Sequence, residues 1–167
     1  MSGSTPLSTA LDDAIALRRA DRDLEARQAL LDLHSEHPDD PQVNLQTAWI
    51  HDKLGLEAEA VPYYEAAIAA GLEGEDLHDA LLGLGSTYRA LGEYERAVAV
   101  LEDAVATMPG QPDLEVFWAM ALYNVGRHKE ACATLLRLLV DTTSDDAIRR
   151  YEGAVRTYLE DLDRTWR

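Results

Sequence analysis

The chain has 167 residues, 47% of them hydrophobic, and its 15 basic against 31 acidic side chains leave a net charge of −16. That is enough chain for one globular domain with its own core, and a charge of this sign repels a phosphate backbone, which excludes nucleic-acid binding through a broad basic surface. A lone Cys132 excludes an internal disulfide or a cysteine-rich zinc site, and no apolar run reaches the roughly 18 residues of a membrane span.

Met1 to Ala10 has neither the basic start nor the apolar stretch of a signal peptide, so the expected compartment is the cytoplasm. Internal repetition organises the rest of the chain. Gly55, Gly92 and Gly126 recur at a spacing near 34 residues, and Ala60, Ala97 and Ala131 each follow five residues later. A glycine between two helical patterns suits the left-handed residue that ends one helix and turns the chain into the next.

In chain order, the first unit covers residues 7–40, with Ala14, Ala26, Leu30 and Pro38 on the repeated sites and Asp21 where the turn glycine belongs. The second, 41–74, carries Ala48, Ala60, Tyr64 and Ala67, with Pro62 early in its second helix. Three extra residues, Glu75 to Leu77, then suggest a lengthened loop beside Gly71 and Gly74. The third unit, 78–111, is the clearest, with Leu84-Gly85, Tyr88, Ala97, Leu101, Ala104 and Pro109 in order. The fourth, 112–145, has Ala119, Ala131 and Leu135. Of twelve sites that call for a small residue at a helix crossing, ten hold Ala or Gly, the exceptions being Leu33 and Leu138, so the register is not accidental. A final helix over residues 144–163 is expected, capped by Ser144, with Ile148, Tyr151, Val155, Tyr158 and Leu162 along one face.

The Leu-Gly, Tyr, Ala, Leu, Ala, Pro sequence of the third unit resembles the tetratricopeptide repeat. The stretches LLGLGSTYRALGEYERAVAVLEDAV, FWAMALYNVGRHKEA and SDDAIRRYEGAVRTYLEDL are similar to the fifth tetratricopeptide group of small bacterial proteins. The resemblance implies an all-α fold, a right-handed α-solenoid of about four helix-turn-helix repeats closed by a C-terminal capping helix, as a single repeat domain over residues 1–167. It also implies protein binding without an enzymatic role, and a possible homodimer.

In such proteins one face of each first helix lines a concave groove. On this register the face contains Leu11, Ile15 and Arg18, then Leu45, Trp49 and Asp52. Leu82, Ser86 and Arg89 follow, and then Val116, Met120, Tyr123 and Asn124. An exposed apolar strip marks a binding surface. The expected function is therefore a protein-interaction module whose groove holds an apolar or basic segment of a partner. The alternatives are a self-associating structural protein without external ligand, or a small acidic secretion-type chaperone. The carboxylate clamp known in the family is disfavoured, because its Lys, Asn and Arg positions hold Leu11, Ile15, Gln46, Asp79 and Gly83 here.

No catalytic group, cofactor or metal is expected. His34 and His37 share a helix face near Glu36, Asp39 and Asp40, but histidines at the carbonyl end of a helix need no metal. Cys132 sits beside the small-residue site Ala131 with no activating base in the pattern. The terminal stripe, Ile148, Tyr151, Val155, Tyr158 and Leu162, covers the last repeat or forms a dimer face.

Overall fold

The computed structural model describes residues 6–165, so the first half of the Met1 to Ala10 segment lies outside it. Every regular element among them is an α-helix. The helices fall into two compact units, Met1–Glu93 and Tyr94–Arg167. Unit 1 contains α1 (Leu7–Arg19), α2 (Asp23–Glu36), α3 (Pro41–Lys53), α4 (Glu57–Ala69) and α5 (Gly74–Ala90). Unit 2 contains α6 (Tyr94–Thr107), α7 (Pro112–Asn124), α8 (His128–Thr142), α9 (Asp146–Arg149) and α10 (Glu152–Leu159).

The turns follow from backbone chemistry. Asp21, Gly55, Gly92 and Gly126 all have φ between 57° and 80°. At each, the amide one residue on donates back to a carbonyl five residues earlier: Arg22 to Leu17, Leu56 to His51, Glu93 to Tyr88 and Arg127 to Leu122, at 2.9–3.0 Å. That bond satisfies a carbonyl the helix end would leave open, and it requires a left-handed residue in the turn. Asp21 adopts the strained conformation without being glycine, and its carboxylate meets Lys53 Nζ at 2.7 Å. No atom stands within 4 Å of where a Gly55 side chain would begin. Gly55→Val should therefore lose only backbone energy, about 1–2 kcal/mol. Gly55→Asn, a short polar side chain like Asp21, should lose less. Urea unfolding of the two variants checks the order.

Helix starts use different devices. Asp40 accepts the amides of Gln42 and Val43, each at 2.9 Å, and Pro41 takes the first helical position, where its missing N–H costs nothing. The same position in α7 is Pro112. The ten small residues expected at crossings are all buried. In unit 1, Ala14, Ala26, Leu30 and Ile50 form a fully buried cluster with Leu11, Leu17, Ala29, Leu33 and Leu54 packed around it. Ala14 and Ala26 bring α1 and α2 close enough for Leu30 and Ile50 to fill the space between them, the density that interiors require.

His51 is also buried there. Its Nδ1 lies 2.7 Å from the Thr47 carbonyl, which can only accept, so Nδ1 carries the proton and Nε2 accepts from Arg27 Nε at 3.1 Å. Its ring stacks on Tyr63 at 5.1 Å, and His34 meets the same tyrosine edge-on at 5.0 Å.

Two expectations need correction. Glu75 to Leu77 are not a lengthened loop: they form the first turn of α5, which starts at Gly74 and is the longest helix described. The terminal helix is not continuous over 144–163. It breaks at Arg150 and Tyr151 into α9 and α10, and its cap is Asp145, not Ser144, accepting the amides of Ala147 and Ile148. An Asp at that place accepts both amides and adds a negative charge at the positive helix end, so it outcompetes the serine before it.

Candidate functional site

The first helices of unit 1 are α1, α3 and α5, and the repeat spacing places Arg18, Asp52 and Arg89 at equivalent positions on them. The Arg18 guanidinium lies 5.0 Å above the Trp49 ring and donates through Nη2 to Gln46 Oε1 at 3.0 Å, while its Nε is buried without a partner. A guanidinium over an indole face is attracted by the ring quadrupole. Burial, with Arg19 adding, pulls the Arg18 pKa below the usual arginine range. Lys53, next to Asp52 in sequence, turns away to Asp21 and Asp23.

Asp52 joins three helices. Its Oδ2 accepts from Tyr64 Oη of α4 at 2.6 Å, and both oxygens lie 3.1 Å from Thr87 Oγ1 of α5. Thr87 has one hydroxyl proton and also reaches the Gly83 carbonyl at 2.8 Å, so its bond to Asp52 is shared. Burial pushes the Asp52 carboxyl above its ordinary range, against the pull of the two hydroxyls. Burial and then Asp52 push the Tyr64 phenol up as well. The sign follows: a carboxyl raised in the folded state contributes stability below its ordinary pKa and loses it as pH rises through the folded value. Asp52→Asn removes that loss. The difference in stability between Asp52→Asn and the parent should move in favour of the variant from pH 3 to pH 7, as read by urea unfolding at each pH; a difference that moves the other way contradicts this assignment.

The tetratricopeptide repeat family model matches residues 41–162. The chain belongs to the tetratricopeptide repeat family. Its solved likenesses include a tetratricopeptide repeat protein from Parabacteroides merdae, at TM-score 0.76 and 15% identity, covering 95% of this chain and 61% of that one. MamA from Desulfovibrio magneticus RS-1 is similar at TM-score 0.74 and 17% identity over 96% of this chain and 89% of that one. YrrB, described as a tetratricopeptide protein with an unusual peptide-binding site, is similar at TM-score 0.70 and 17% identity over 96% and 87%. At these identities the likeness is one of fold. No curated protein matches the chain in sequence.

Within this tetratricopeptide frame the expected groove residues are not equally accessible. Leu45 is fully buried and belongs to the core of unit 1, not to an open wall; its helix, α3, packs mainly against α4 and α2. Leu11 is half-buried and turns toward the Ala14 cluster. Ile15, Trp49, Leu82 and Arg89 are half-buried. Gln46 is buried and occupied by Arg18. In unit 2, Tyr123 is exposed with the His128 ring 4.8 Å away, Val116 is exposed, Met120 is half-buried, and Asn124 is half-buried with an unpartnered Oδ1. Tyr151 and Tyr158 are exposed at 61% and 52%, while Ile148, Val155 and Leu162 are half-buried.

Among the described residues no group of three or more His, Cys, Asp or Glu side chains could hold a metal, and no helix is long and apolar enough to cross a membrane. Cys132 is exposed and free. Sequence reasoning missed Thr87, the use of Tyr64 as a donor to Asp52, and the close packing of Gly83 against the Tyr64 ring. Gly83 left a signal: a glycine inside a helical pattern, away from any turn, has a packing reason.

Proposed function

We propose that this tetratricopeptide protein is a non-enzymatic interaction module of the cytoplasm, binding an apolar or basic segment of a protein partner on its first-helix faces. The observation that carries the reading is Trp49, a half-buried aromatic on the first-helix face beside Asp52, a carboxylate that forms no ion pair with any described residue. Large aromatic anchors beside charges commonly dominate an interface, about 2 kcal/mol or more for a central one. The net charge of −16 speeds encounter with basic partners, mostly at low salt. The single, free cysteine is in keeping with a reducing compartment. With a partner isolated from the native cell, Trp49→Ala should weaken the complex about 30-fold, chiefly through faster dissociation. Glu95→Gln, on a second helix, should change it little. A complex indifferent to Trp49 and dependent on Glu95 would place the site on the acidic outer surface.

A second reading is self-association through the C-terminal elements. Leu135 and Leu139 are exposed on α8, four residues apart on one face, and Tyr151 and Tyr158 are exposed beside α9 and on α10. Light scattering should then give twice the 18.5 kDa of one chain at micromolar concentration, falling to one chain in Tyr151→Glu, Tyr158→Glu double variants. A mass of one chain at every concentration rejects the dimer.

A further inference from the structure

Resting on the self-association reading above, we propose that two copies of this chain exchange their C-terminal elements, α9 and α10 of each copy seating on α8 of the other.

The seat is visible within one chain, where α10 packs chiefly on α8. Lys129 Nζ, in the first turn of α8, meets Asp161 at 2.7 Å and Asp163 at 2.9 Å just beyond α10, while Arg156 of α10 meets Asp141 in the last turn of α8 at 2.7 Å. The two helices therefore run antiparallel. Beside these ion pairs stand half-buried apolar side chains: Val155, Leu159 and Leu162, at spacings of four and three, and Ala133 and Leu136 on the face of α8 that carries Lys129. The surface of α8 thus fits an amphipathic helix that is acidic at its C-terminal end, and this sequence contains that helix.

The hold on it is weak. Neither α9 nor α10 contains a buried side chain. All five charged groups of the clamp are exposed, and exposed ion pairs contribute little. An eight-residue helix is unstable alone in water, so an α10 that leaves its seat must unfold or take an equivalent one. The equivalent seat is α8 of a second copy, where every contact is remade. Release needs rotation only at residues 143–145, the non-helical link between α8 and α9, in which Thr143 is already extended at φ −69° and ψ 140°. Exchange of an identical element is a low-cost route to a dimer. What favours the exchanged form is apolar surface next to the link. Leu139, four residues before it, and Leu135, one turn earlier, are exposed on α8, and Tyr151 is exposed at the N-cap of α10. Crossing links bring two copies together there and take this surface out of water.

The test uses the full chain with Cys132→Ser, Lys129→Cys and Asp161→Cys, so that its two thiols stand at the two ends of one ion pair, and a short bismaleimide to bridge them. At micromolar concentration, denaturing electrophoresis should show bridged chains at twice 18.5 kDa, with no two-chain band from either singly substituted protein. A bridge confined to one chain, no bridge at all, or equal two-chain bands from the singly substituted proteins overturns the exchange. Without any substitution, isotope-filtered NMR on a mixture of labelled and unlabelled chains should show methyl contacts between α8 and α10 of different chains; contacts only within chains reject it. Light scattering on the unsubstituted protein separates the failures. A dimer whose bridges stay inside single chains rejects exchange and leaves self-association standing, and a single-chain mass at every concentration rejects both.

Discussion

Leu45→Ala should destabilise unit 1 by about 2–5 kcal/mol, the cost of removing a fully buried leucine and leaving part of its volume empty. Leu45 was expected on the groove wall, where truncation would weaken a partner and leave the fold alone. Its position on α3, the helix packed against α1, α2, α4 and α5, makes it a core residue instead. Leu82, half-buried on α5, is the comparison: Leu82→Ala should cost less in urea unfolding. If the two substitutions cost the same, the burial of Leu45 does not distinguish it.

Gly83→Ala is the second large effect, and it is opposite in sign to the ordinary result. Within a helix interior, glycine to alanine normally stabilises by about 0.5–1 kcal/mol. At Gly83 the added Cβ would stand 2.5 Å from Tyr64 Oη, 2.6 Å from Cζ and 2.8 Å from Cε1. Tyr64 is 1% exposed and bonded to Asp52, so its ring moves only by breaking that bond and its packing. The expected loss is about 1–3 kcal/mol. Gly153→Ala in α10, with nothing within 4 Å of the new atom, should stabilise modestly and serves as the internal comparison. In a Tyr64→Ala background the ring is gone, and Gly83→Ala should cost little, a non-additivity that isolates the contact. Additive costs would mean that the clash is not with Tyr64.

The repeat architecture was legible because its signals are local and recur: a small residue where helices cross, and a left-handed residue where the chain turns. Asp21 shows how far that logic extends, since it takes the glycine conformation with a different side chain. The break between α9 and α10 was not legible, because Ile148, Tyr151, Val155, Tyr158 and Leu162 keep helical spacing through it and periodicity does not register a kink. Nor was the Asp52 site. It depends on Tyr64 and Thr87, 12 and 35 residues away on two other helices, and on how one threonine proton is shared. The Arg18 contact with Trp49 is of the same kind: each residue was placed on the face, but their stacking is a property of two helices together.

The partner site is proposed on the first-helix face of unit 1. Photo-crosslinking tests it most directly, with a benzophenone side chain introduced at Ser86, half-buried on α5, and in a separate protein at Gln28, exposed on α2. With the natural partner bound, irradiation should join it to the protein at position 86 and not at 28. Crosslinks at 28 with none at 86 would contradict the account and move the site to the second helices.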